Sequence, residues 1–302
     1  MSRFKSLLLP LDGSAESAKG IGCALWLAQM LDATLHVLHA GEHALPREQA
    51  LQRLCVPDAQ HHRLVLHQMP TDAQAAILEA IALLKVDMVI MSALGESISQ
   101  QQAQGQAQEQ KQEQPRSLGR VALGVAEHSP VPVLLFPSRY REVLPWRSIL
   151  VAASGEAAAD HALEAAAQLA APLQLKVTVL HAGDGPDGSA AAPLGTYADA
   201  VHHEYPHRLR QMLDRGLGSC TDEEARHVES ALLHCGDPAM VLLQQVELAG
   251  SSMLALGWHG AFGAGRALVL KRLLEQASCP LLLIRQAEQS SVHLKVGVEL
   301  ES

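Results

Sequence analysis

The chain carries the same passage twice. LHVLHAG at 35–41 returns as VTVLHAG at 177–183, SLLLPLDGS (6–14) is answered by SILVAASGE (148–156), and LVLHQMPTD (64–72) by ALLHCGDPA (231–239). Recurrence of several segments in the same order means that one structural unit has been duplicated in tandem. Whatever this chain folds into, it must be two copies of one plan. The positions where the copies differ then bear on function more directly than those where they agree.

At 302 residues and 48% hydrophobic, the chain has enough apolar material for two cores of ordinary domain size. No apolar run reaches the roughly 18 residues that a membrane-spanning helix needs. The opening MSRFKSLLLPLDG has too short an apolar stretch for a signal peptide, so a soluble, cytoplasmic protein is expected. The five cysteines are odd in number and form no C-x-x-C pair, which speaks against a disulfide framework or a zinc ribbon; most are expected to be buried, reduced and inert. A net charge of −9 without a dense basic cluster excludes nucleic acid as a direct partner. So does an aromatic content of 3%, too low for base-stacking platforms.

Each half alternates short, wholly apolar runs with longer segments of helical periodicity, the pattern of a parallel α/β sheet covered on both faces. In the first half this predicts strands near 4–11, 33–39, 62–67, 87–92 and 132–136, and helices near 15–31, 72–84 and 117–128. In the second it predicts strands near 147–153, 174–181, 227–234, 252–257 and 280–284, and helices near 157–171, 237–249 and 265–277. A helix within 196–218 has a shorter counterpart near 46–54. The domains are expected at 1–140 and 146–286, with Leu144, Pro145 and Trp146 at the seam. The tail 287–302 reads as an added edge strand or a disordered end. One segment breaks the symmetry: residues 98–115 are dominated by glutamine, have almost nothing to bury, and read as a solvated insertion.

Sheets of this kind bind ligands beyond the carboxyl ends of the strands, where strand order reverses. That directs attention to PLDGS (10–14) and MSALG (91–95) in the first half, and to AASGE (152–156) and LGWHGAFGAGR (256–266) in the second. Three features then resemble the universal stress protein family, in its tandem two-domain form. They are the first strand ending in Asp12-Gly13-Ser14, the strand ending in Leu38-His39-Ala40, and the closing pattern of LG-x-VA followed by V-P-V or C-P-L. The resemblance covers nearly the whole chain. It implies two Rossmann-like (adenine nucleotide alpha hydrolase-like) α/β domains, each a five-stranded parallel sheet of order 3-2-1-4-5. It also implies that the last strands, VPVLLF and CPLLLI, meet in an internal pseudo-dimer.

Many members of that family hold ATP with a loop of form G-x-x-G, nine residues, then G-S or G-T. Glycines let backbone N–H groups approach phosphate, the following helix presents its positive end, and the hydroxyl adds a donor. An acidic residue after the first strand accepts from ribose, a role that Asp12 matches. Carried over by position, the candidate nucleotide-binding residues of the first half are Asp12, Gly13, Ala40, Ser92, Gly95, Gly119 and Arg120. Those of the second are Ser154, Gly257, His259, Gly260 and Gly263.

Both halves depart from the pattern. In the first, Ser92 stands at the first loop glycine, Arg120 replaces the hydroxyl residue, and the glutamine-rich insert lengthens the loop between Gly95 and Gly119. The added closure entropy is only about 0.8 kcal/mol, so the fold tolerates it while the phosphate cradle loses its fixed span. Arg120 is read as a surface ion pair or as a replacement phosphate ligand. In the second half Ser154 replaces the acid, and the position of the terminal glycine falls on Ala267.

The sixteen histidines include His61-His62 and His202-His203, expected to be exposed because no ligand set at metal spacing accompanies them. His39 with His181, and His67 with His234, are expected to line the cleft edges. No nucleophile elbow, P-loop or H-E-x-x-H is present, and no metal site is expected. The expectation is a non-catalytic regulatory or protective stress-response module. Its cofactor is ATP or AMP with Mg, or none, and its partner an unidentified regulatory protein. A homodimer, a nucleotide sensor with one working cleft and, with least support, a slow ATP hydrolase stay open.

Overall fold

Five parallel strands form one half-sheet in the order β3-β2-β1-β4-β5, and five more form the other, β10-β9-β6-β7-β8, so that β5 and β10 lie side by side in one 10-stranded sheet. The computed structural model describes residues 3–95, 118–183, 204–262 and 267–285. The glutamine-rich insert, His202-His203, Gly263 and the tail 287–302 lie outside the described residues.

In chain order the first half holds β1 (Ser6–Pro10), α1 (Ala15–Ala18), α2 (Ile21–Leu31), β2 (Thr34–Ala40), α3 (Arg47–Arg53), a 3-10 turn (Asp58–Arg63), β3 (Leu64–Met69), α4 (Ala73–Leu83), β4 (Met88–Ser92), α5 (Arg120–His128) and β5 (Val133–Phe136). The second holds β6 (Ser148–Ala152), α6 (Ala157–Leu173), β7 (Lys176–Gly183), α7 (Glu204–Gly216), α8 (Asp222–Ala225), β8 (Val228–Cys235), α9 (Pro238–Ala249), β9 (Met253–Trp258), α10 (Leu268–Gln276) and β10 (Leu281–Arg285).

Strand alternation sends Leu7 and Leu9 to one face and Leu8 to the other, all fully buried, as a sheet covered on both sides requires. The expected single helix at 15–31 is two. Gly20 separates them with its Cα pressed on the Phe136 ring, where a Cβ would come within 2.8 Å of a ring carbon. The two cores divide by face of the sheet rather than by half of the chain. One apolar layer joins Leu7, Leu27 and Leu35 to Ile149, Leu169 and Val177, and the opposite layer joins Leu8, Ile77 and Val125 to Leu150, Leu254 and Leu273. Each layer runs through both halves because the sheet does.

The join is antiparallel, with Leu135 opposite Leu281, Leu134 opposite Leu282 and Val133 opposite Leu283. All six are buried. Two apolar edge strands, each a template for unwanted pairing, thereby cover one another. Trp26 and Trp146 pack across the same seam with ring centroids 5.3 Å apart.

Candidate functional site

The loop after β1 and the loop after β6 are built alike. Leu11 N–H donates to the Leu38 carbonyl at 2.9 Å, and Ala153 N–H to the Leu180 carbonyl at 2.9 Å. His39 Nδ1 donates to the Leu11 carbonyl at 3.1 Å, and His181 Nδ1 to the Ala153 carbonyl at 2.6 Å. A carbonyl only accepts, so each Nδ1 carries a proton, and the tautomer this selects leaves Nε2 as the acceptor. The recurring histidines therefore pin the end of the second strand to the loop after the first.

One residue further on, the halves diverge in chemistry and agree in shape. Ser14 N–H donates to Asp12 Oδ1 at 2.9 Å, and Glu156 N–H donates to Ser154 Oγ at 3.4 Å. Both are side-chain turns, followed in each half by a glycine at matching positive φ, 86° at Gly13 and 84° at Gly155. Replacing Asp12 by Ser154 keeps the turn and deletes the carboxylate.

In the first cleft the structure brings Asp12, Gly95 and Gly119 together. A Cβ on Gly95 would lie 3.0 Å from Asp12 Oδ2, and one on Gly119 would lie 3.6 Å from the Gly95 nitrogen. Gly119 N–H donates to the Ala93 carbonyl at 2.7 Å, closing the base of the loop despite the long insert in sequence. Gly119 then caps α5, at whose first position Arg120 is exposed. No ion pair joins Arg120 to another described residue, so the surface-bridge reading finds no partner among them. Ser92 ends β4 buried, and its Oγ accepts from Leu94 N–H at 3.3 Å. Ala40 ends β2 at the same edge.

The second cleft is a cavity of 670 Å³ between the ends of β6, β7 and β9 and the starts of α9 and α10, with Ser154, Glu156, His181, Gly257 and His259 among its lining. Gly257 is there for space: a Cβ would overlap the Ala158 carbonyl in the first turn of α6. Gly260 has φ 78° and sits against the Arg285 side chain. Ala267, at the position of the family's terminal glycine, adopts φ 54°, a left-handed conformation that L-residues adopt at a cost. Gly119, its counterpart, sits at φ −72°, open to any residue. The hydroxyl position is Leu268, 61% exposed at the cavity rim.

Two features of this cleft escaped the sequence. Trp258 packs against Phe262 with centroids 4.7 Å apart and the rings tilted by 56°. Phe262 N–H donates to Glu127 Oε1 at 2.9 Å. Glu127 belongs to α5, so the first half holds the loop that follows β9 in the second. The two segments lie far apart in the chain, and only the antiparallel seam brings them together.

Other histidines need correction. His61 is buried rather than exposed, its Nδ1 2.8 Å from Glu48 Oε2 and its Nε2 3.1 Å from the Val56 carbonyl. The Glu48 hydrogen bond holds its pKa above the usual imidazole value. His67 is not the counterpart of His234. It pairs opposite Leu38 within the sheet, whereas His234 lies opposite Ala182 at the strand end. His67 Nε2 instead meets His36 Nδ1 at 3.0 Å, and burial holds both rings below the usual imidazole value, with the charge of His67 adding to the effect at His36. Of the cysteines, only Cys23 and Cys279 are buried; Cys55 and Cys235 are exposed. Burial pushes the Cys279 thiol up to about 12. Among the described residues no three His, Cys, Asp or Glu side chains converge as a metal site, and no helix is long and apolar enough to cross a membrane.

Residues 145–285 match the Universal stress protein family. The structure is similar over both halves to a universal stress protein from Archaeoglobus fulgidus DSM 4304, at 17% identity and TM-score 0.60, covering 94% of this chain and 98% of that one. It is also similar to a putative universal stress protein from Pseudomonas aeruginosa UCBPP-PA14, at 13% identity and TM-score 0.61, covering 94% of each chain. A functionally unknown protein from Pseudomonas aeruginosa PAO1 aligns at 14% identity and TM-score 0.59, covering 94% of this chain and 93% of that one. No curated protein matches the sequence. The second half is thus a universal stress protein domain. The first half repeats its sheet strand for strand, so the chain has the fold of two such domains in tandem.

Proposed function

We propose that this protein is a non-catalytic regulatory or protective module of the stress response, in which both clefts have moved away from nucleotide. The observation that supports this most is the complementary loss. The first cleft keeps the acid and the terminal glycine but has Ser92 and Arg120 at the other two positions. The second keeps Gly257 and Gly260 but has Ser154, Ala267 and Leu268. Neither retains the acid, the complete set of glycines and the hydroxyl together. No nucleophile paired with a base stands beside either cleft among the described residues, which supports a binding rather than a catalytic role. An unidentified protein partner in the cytoplasm completes this reading.

A second reading has a specific observation in its favour. Asp12, Gly95 and Gly119 meet in the first cleft beside an exposed Arg120 at a helix start, a combination suited to the ribose and phosphate of ATP or AMP with Mg. Structures of universal stress proteins have been determined in complex with cAMP and, for the Arabidopsis thaliana protein, with AMP bound. What this chain binds rests on its own residues. Calorimetric titration with Mg-ATP separates the readings, using Gly119→Ala, whose new Cβ would meet only an ordinary 3.4 Å contact, and Arg120→Ala. No heat at high micromolar ATP supports the first reading. Micromolar binding lost in either variant establishes a nucleotide sensor working through the first cleft.

A further inference from the structure

We propose that the second cleft binds an uncharged small molecule with an apolar body and a hydrogen-bond donor, in place of a nucleoside phosphate. This rests on the reading that the cleft has left the family ligand, and names what replaced it. The cavity, at 670 Å³, lies within the range of about 300–1,000 Å³ that holds small organic ligands. Its walls are Leu180, Leu242, Leu256, Trp258 and Leu270, all buried.

Charge argues in the same direction. Among the described lining residues Glu156 is the one carboxylate, and none is Lys or Arg. Against these described lining residues a polyphosphate would meet a like charge in a low-dielectric cleft, with no Lys or Arg among them to offset its desolvation. The polar groups that are present suit a neutral ligand. His181 lines the cavity with Nδ1 committed to the Ala153 carbonyl, so in that tautomer Nε2 can accept from a ligand's donor.

Leu268 marks the change most directly. At the helix start where the family places a hydroxyl for phosphate, this chain exposes a leucine at the mouth of the cavity. Its apolar surface is costly in water and is covered when an apolar ligand enters.

The test is a fluorescence titration of the full chain with N-phenyl-1-naphthylamine, an uncharged aromatic amine carrying one N–H donor. Saturable binding at one site per chain is expected. Ala182→Phe, which fills the cavity from a half-buried strand end, should weaken it at least tenfold. Leu268→Lys, at an exposed position that the fold does not depend on, should weaken it severalfold, and millimolar Mg-ATP should not displace the probe. No saturable binding, equal binding by wild type and both variants, or displacement by Mg-ATP would each overturn the proposal. Should Mg-ATP bind without displacing the probe, and that binding vanish in Arg120→Ala, the doubly degenerate reading fails while this one stands.

Discussion

The two clefts share one backbone plan and almost no chemistry. In both, a histidine bridges to the loop after the first strand, a side chain closes the turn, and a glycine follows at φ near +85°. Above that common floor the first cleft presents a carboxylate and an arginine, and the second an apolar hollow behind an exposed leucine. The lesson is that hydrogen bonds which hold the strand ends in place have persisted through duplication, while groups that would touch a ligand have been exchanged. Asp12 and Ser154 make the point within one position, since each closes the same turn and only one offers a charge.

The sharpest way to break the comparison is at the seam on which both clefts depend. Leu134→Lys or Leu283→Lys places an unpaired charge in a fully buried strand pair and should cost more than about 3 kcal/mol. An unchanged denaturant unfolding profile would count against the paired edges as a source of stability. Next in size is an exchange between halves. Gly257→Ser imports the first half's residue into a space occupied by the Ala158 backbone and should destabilise by about 2–3 kcal/mol, whereas Ser92→Gly should cost about 1 kcal/mol or less. Equal effects in thermal melts would show that the helices approach both strands alike.

The third exchange has the opposite sign. Ala267→Gly relieves a left-handed alanine and should stabilise by up to about 1 kcal/mol, while Gly119→Ala should be neutral or slightly stabilising, because its φ suits any residue. Urea midpoints of the two variants check this. The smallest effects concern pH. His36 and His67 have lowered folded pKa values, so the stability they contribute is present above about 6.5 and is lost as pH falls through their folded values. His61 has a raised folded pKa, so its contribution is present below about 6.5 and is lost as pH rises through its folded value. His67→Gln should therefore flatten the acid side of a stability profile, and His61→Gln should lose more stability at pH 5.5 than at pH 8.5.

Much of the fold was legible because doubly covered strands are written as unbroken apolar runs. VTVL, LALG and VLLF announce themselves, and the observed strands differ from the expected ones by about two residues at most at either end. What stayed hidden depends on distant contacts. The break at Gly20 follows from the Phe136 ring, the burial of His61 from Glu48 and Val56, and the pairing of His36 with His67 from a register no local pattern states. In the site, the divergent loop positions were readable by alignment of the halves. The left-handed Ala267 and the hold of Glu127 on Phe262 were not, since one is a backbone angle and the other joins segments adjacent only across the seam.

That hydrogen bond from Phe262 to Glu127 carries a consequence for how such a molecule can change. In an assembly of two identical chains, a substitution in the helix that grips the neighbour's loop alters both loops at once, and any gain in one cleft is tied to the same alteration in the other. Fusing the copies into one polypeptide cuts that tie. Glu127 can be tuned for the second cleft without rewriting its counterpart Glu275, so each half is free to become an accessory to the other and neither need remain a copy.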